Sequence, residues 1–131
     1  MNIPSVDIKD MLESDSGLGL SFAENLFIGK EPAIPDNTIT IFDTYGFPPQ
    51  VTLDRVNNYY YPSIQIRIRN NSYKIGLELA QDIVISLHGR AQESWGGVLY
   101  TSIRCMSGPA LLDYDNNDRP RFIINFDLQR R

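Results

Sequence analysis

Nucleophilic catalysis through a Ser-His-Asp or Cys-His arrangement needs a histidine, and this chain of 131 residues has one, His88, together with a single cysteine, Cys105. His88 stands just before Gly89 at the end of an apolar-periodic segment. An imidazole there lies beside the last carbonyls of a helix and interacts favourably with the helix dipole, so we read it as a capping residue. Cys105 falls in Val98–Met106, where Leu99, Thr101, Ile103 and Cys105 alternate to one side, and this predicts a small buried residue rather than a reactive thiolate. No Gly-x-Ser-x-Gly elbow accompanies either one.

Metal chemistry has one candidate, Asp113-Tyr-Asp115-Asn-Asn117, whose alternating oxygen ligands match the start of an EF-hand loop. The remainder of that pattern fails, with Asp118 where the glycine belongs and Ile124 where the bidentate glutamate belongs. An Asp/Asn-rich turn between strands accounts for the segment. One Cys and one His cannot form a tetrahedral zinc set. Gly17-Leu-Gly19 starts like a phosphate loop but has Phe22 at the third glycine position and follows a helix rather than a strand. Among 16 acidic residues no carboxylate pair stands out. The expectation is therefore no enzyme, no cofactor and no metal site.

What remains is a surface signal. Tyr59, Tyr60, Tyr61 and Trp95 fall in segments that read as loops, and large aromatics with a polar handle anchor protein contacts, although about half of such residues pack back onto a core. Arg67 and Arg69 occupy the polar side of the clearest strand, suited to a phosphate backbone or, in an acidic protein, to the carboxylates of a neighbouring subunit. These six residues are the expected subunit or partner contacts.

The elements that position them follow from periodicity. Ser5–Ser14 predicts a short helix capped by Ser5, with Val6, Asp7, Ile8, Met11 and Leu12 on its inner side. Asn25–Lys30 and Thr38–Thr44 read as strands joined in a hairpin by a Pro/Asn/Asp connection. The residues from Tyr45 to Pro62, rich in Gly, Pro and Asn, read as one long loop, a length that makes the segment a candidate contact surface. Ser63–Asn70 alternates Ile64, Ile66 and Ile68 against Gln65, Arg67 and Arg69. Ser72–His88 is the main helix, with Ile75, Leu79 and Ile85 widening its apolar face. Val98–Met106 and Arg121–Gln129 complete the strands, separated by a break at Ser107–Pro109. The order α-β-β-β-α-β-β implies an α+β fold, a mostly antiparallel sheet with one long and one short helix on one face.

At 14.9 kDa with 42% apolar residues, the chain has the size and content of a single domain, residues 1–131. Its N-terminus lacks the pattern of a signal peptide and its lone cysteine has no partner, so we expect a reducing, cytoplasmic origin; no apolar run approaches the ~20 residues of a membrane helix. A net charge of −4 and a pI near 4.8 argue against a surface built to coat DNA. Residues 1–62 carry nine acids and three bases, residues 63–131 seven acids and nine bases, which allows either a mixed surface or two unlike faces suited to head-to-tail assembly.

The order of elements and two strings, YYPSIQIRIRNNSYKIGLELAQDIVISLHG and SGPALLDYDNNDRPRFIINFDLQ, resemble the tail terminator (tail completion, or minor capsid) proteins of long-tailed bacteriophages over residues 60–129. The first string is similar to the family's strand, helix and helix end; the second to its closing hairpin. The resemblance implies a structural virion protein: a hexameric ring at the head-proximal end of the tail, assembled in the host cytoplasm. Such a ring caps the tail tube protein, ends its polymerisation and meets the head-completion or connector protein, while DNA passes through without specific binding. The competing readings are a head-side completion protein, a small enzyme with an unrecognised carboxylate pair, and an adaptor binding nucleic acid through Arg67, Arg69, Arg119 and Arg121.

Overall fold

The computed structural model describes residues 1–51, 53 and 58–131. Helix α1 spans Pro4–Ser14, strands β1 Leu26–Ile28, β2 Thr38–Gln50 and β3 Tyr59–Arg69, helix α2 Tyr73–Leu87, and strands β4 Glu93–Trp95, β5 Val98–Tyr114 and β6 Pro120–Arg130. The strands form a single sheet in the order β1-β2-β3-β6-β5-β4. Ile39, Ile68 and Phe122 are direct cross-strand neighbours, as are Ile41, Ile66 and Ile124. These two rows face both helices and form the floor of the core, which Ile8, Met11 and Leu12 of α1 and Ala80, Ile83 and Leu87 of α2 close from above. Buried side chains of this size each contribute roughly 1.5–3 kcal/mol, so the alternating isoleucines of β3 fix its register as well as its stability.

The α+β class holds, with a mostly antiparallel sheet in which one pair of strands is parallel, and with one strand more than expected. The expected hairpin between the first two strands is instead a parallel pair, Leu26 opposite Ile39 and Ile28 opposite Ile41. The connecting residues 29–37 contain Pro32 and Pro35, which cannot donate to a ladder, and they fold back so that β2 starts level with β1. Most of the expected loop from Tyr45 to Pro62 is strand: β2 continues to Gln50 and β3 begins at Tyr59, with residues 52 and 54–57 outside the described residues. Gly46 makes this arm possible, because a Cβ there would collide with the Tyr61 carbonyl and crowd Pro62. The residues Glu93–Trp95 form β4, paired to Val98–Tyr100.

β5 does not break at Gly108-Pro109. It continues to Tyr114 across several register shifts against β6. The first shift, between Tyr100 and Ser102, changes the side on which residues fall: Val98, Tyr100 and Ile103 are buried, while Leu99 and Thr101 are not, and Cys105 is half-buried. Ile75 and Ile85 of α2 are exposed rather than part of its inner face. Ser5 does not cap α1. The capping position is Ile3, and Ser5 lies inside the helix, where its backbone N–H and its hydroxyl both donate to the carboxylate of Asp43 on β2. A carboxylate from the sheet thus satisfies the positive end of the helix. α2 is opened by Ser72, whose hydroxyl accepts from the Ile75 N–H, and closed by His88 and Gly89, the glycine at φ +88°.

Candidate functional site

Tyr60, Arg130, Tyr100 and Glu93 are successive cross-strand partners in one row. That row brings Tyr59–Tyr61 on β3 and Trp95 on β4 to the same end of the sheet, although they are far apart in sequence. All three tyrosines and the tryptophan are half-buried. The Tyr59 hydroxyl accepts from Arg131, whose guanidinium lies over the ring; the Tyr61 hydroxyl donates to Gln50; and the Trp95 indole N–H donates to Glu93 while its ring rests on the core. Beyond them the β2 arm displays Tyr45, Phe47, Val51 and Leu53, all largely exposed. All four fall in the segment Tyr45–Pro62, expected as a contact surface but without any of them singled out. The signal that finds them is Tyr45-Gly-Phe47, an apolar pair around the glycine that allows the arm.

Beneath the tyrosines is a buried polar group. Asp7 is fully buried and accepts from the Tyr100 hydroxyl at 2.5 Å and from the Asn2 side chain at 3.1 Å. Arg130 donates to the Tyr100 hydroxyl and to the Asn2 carbonyl, with its Nη1 3.7 Å from Asp7. Burial, reinforced by Asp7, pushes the Tyr100 phenol well above its ordinary range, so it stays a donor. Both charges were visible as exceptions in sequence: Asp7 interrupts the inner face of α1, and Arg130 continues the even-numbered series Phe122, Ile124, Phe126 and Leu128 that faces the core.

Arg67 and Arg69 do not act together. Arg67, half-buried, donates to Gln65 and stacks on Phe42 at 4.9 Å, on the face of the sheet away from the helices. Arg69 is buried at the opposite end of β3 from the tyrosines. It donates to Glu31, to the Asp36 carbonyl and to the Pro35 carbonyl. Arg119 donates to Asp36, Asp115 and the Ala33 carbonyl, and Arg121 holds Asp113 through two bonds of 2.6 and 2.5 Å. Three arginines therefore clamp residues 29–37 onto the sheet, which corrects the expectation that Arg69 faces a partner. Glu31 and Asp36 of the first half thus pair with arginines of the second inside one subunit.

The same contacts account for the calcium-like segment. The Arg121 hydrogen bonds hold the Asp113 carboxyl below its ordinary range. Burial acts to raise Asp115, but hydrogen bonds from Arg119 and Asn117 outweigh it and hold that carboxyl low as well. Among the described residues no group of three His, Cys, Asp or Glu side chains is placed to hold a metal ion. His88 Nδ1 accepts from the Cys105 backbone N–H at 2.9 Å, tying the end of α2 to β5, and burial raises the Cys105 thiol. A raised thiol is a poor nucleophile at neutral pH.

The family model of the bacteriophage tail terminator proteins matches residues 6–130. The chain belongs to that family. No curated protein matches it by sequence. In fold the tail terminator chain is similar to one from the virion of a native gene transfer agent particle, at 11% identity and a TM-score of 0.69, covering 97% of this chain and 93% of the other. An identity this low speaks to the fold alone. Family membership makes this a structural protein of the virion tail.

Proposed function

We propose that this tail terminator forms a closed ring of six copies that caps the tail tube, stops its polymerisation and presents its other side to the head connector. The observation that carries this is the family match, which extends over almost the whole chain. The fold agrees with it. A ring requires two different patches on each subunit, and a sheet with β1 at one edge and β4 at the other offers unlike sides. The end bearing Tyr59, Tyr60, Tyr61 and Trp95, with the exposed arm beside it, is the proposed contact surface, and Arg67 is the remaining arginine of the pair available to a neighbour.

The chain acts without catalysis and lets DNA pass without holding it. Arg69, Arg119 and Arg121 are each engaged by carboxylates of their own chain, which leaves Arg67 alone of the four arginines that a phosphate-tracking surface would use. Mass measurement of the purified protein with and without tail tubes is the decisive experiment. Six-fold assemblies on tubes are expected; a protein that stays monomeric at high concentration in the presence of tubes would refute the ring.

A further inference from the structure

Two stretches of backbone lie at open edges of the sheet. β1 covers β2 only from Ile39 to Ile41, with the Gly29 N–H adding one bond to the Ile41 carbonyl. Beyond that point residues 43–50 pair with β3 alone among the described residues, and all of them are exposed. At the other edge, β4 covers β5 only from Val98 to Tyr100; Gly89 and Arg90 then bond Ile103, and His88 holds the Cys105 N–H. Residues 110–114 pair with β6 alone among the described residues. An open edge presents N–H and C=O groups with which another strand can pair. Both edges also carry large exposed apolar side chains, Tyr45 and Phe47 on β2, and Leu111, Leu112 and Tyr114 on β5.

We propose that residues 44–47 of β2 in one copy pair antiparallel with residues 110–114 of β5 in the next, joining the sheets around the ring; the pairing rests on the ring proposed above. Strand polarity names a second copy as the occupant. β2 runs alongside β6 and against β3 and β5, so a copy related by rotation about an axis along the strands brings its β5 antiparallel to this β2. The steps in the two edges also match. The open part of β2 lies toward Tyr59 and that of β5 toward Arg121, diagonally across the sheet, with β1 and β4 on the remaining halves. Two copies offset along the strands therefore bring the open stretches together and leave β1 and β4 outside the joint. Such an offset inclines the strands to the ring axis, as in a closed barrel. Prolines bound the ladder: Pro48 follows the β2 stretch and Pro109 precedes the β5 stretch, so antiparallel pairing puts both at the same end, where neither can donate. Pairing of β2 with another β2 would instead close a two-fold pair and leave both β5 edges open.

Hydrogen exchange on the wild-type chain, free and assembled on tail tubes, tests the pairing without any variant that must fold. The outward-facing amides of residues 44–47 and 110–114 should both exchange about tenfold more slowly, or slower still, in the assembled protein. Rings in which both stretches exchange as in the free chain would overturn the pairing and leave the ring standing. Slowing of one stretch alone would assign that edge to a strand of another protein and refute the second copy as occupant. Tyr45→Lys and Leu112→Lys each place a charge on one edge, and each alone should lower assembly about tenfold. Mixed, the two variants should form one-to-one pairs and no rings, because one intact β2 edge and one intact β5 edge remain. A Leu112→Lys chain that forms rings, or pairs with itself, would refute the β2–β5 joint. Chains that stay monomeric on tail tubes would overturn the ring itself, and this pairing with it.

Discussion

Single side chains show that two polar groups bear unusual weight here. Tyr100→Phe removes a hydrogen bond from a fully buried carboxylate, Asp7, and should destabilise the protein by about 2 kcal/mol in chemical denaturation, with the fold intact. Arg69→Ala leaves Glu31 without its main partner and releases two carbonyls of residues 29–37, so a larger loss of about 3–5 kcal/mol is expected by the same measurement. The aspartates at this end of the sheet set the response to acid. Their folded-state values lie below the ordinary 3.8, so the stability they contribute is complete above that pH and disappears as pH falls through the folded values. Thermal melts at decreasing pH should show this loss, and Arg121→Gln, which removes the main cause at Asp113, should flatten it.

At the scale of elements, the packing of α2 on β6 is decided by Gly76. A Cβ at this position would lie 2.6 Å from Cε2 of Phe122 and 3.0 Å from Cβ of Asn70. Alanine favours a helix interior over glycine by about 1 kcal/mol, but overpacking a filled core costs about 1–3 kcal/mol. Gly76→Ala should therefore destabilise the protein on balance, and the near-ultraviolet signal of Tyr73, which meets Phe122 edge to face at 5.2 Å, should change with it. A stabilised Gly76→Ala variant would show that the helix can shift outward freely.

For the whole molecule, the informative surface charge is Arg67. Arg67→Glu should fold, since Arg67 is held by Gln65 and Phe42 and its electrostatic support of Asp113 is secondary to that of Arg121, yet weaken ring formation or tail completion. Adding Arg69→Glu to it would confound the result by releasing residues 29–37. Wild-type protein should show no appreciable duplex-DNA binding at moderate salt; tight binding with a steep salt dependence, abolished by Arg67→Glu while assembly continues, would overturn the structural reading in favour of a nucleic-acid adaptor.

The elements with a strong local period were legible in sequence. The alternation in Ser63–Asn70 and in Arg121–Gln129, and the helical spacing after Ser72, each state which side is buried, because period and burial are the same fact for a half-buried element. One His and one Cys cannot be multiplied by folding, so the limit on nucleophilic triads was also legible in the sequence. Tertiary structure alone decided the rest. Whether β1 and β2 pair in parallel depends on where residues 29–37 dock, and that is set by Arg69, Arg119 and Arg121 from distant strands. Tyr59–Tyr61 read as loop because Gly, Pro and Asn surround them, yet pairing with β2 on one side and β6 on the other makes them strand. Arg69 looked like a contact residue because a strand's alternation gives only the side on which a side chain lies. What covers that side is a matter of long-range topology, and here it is the protein's own chain.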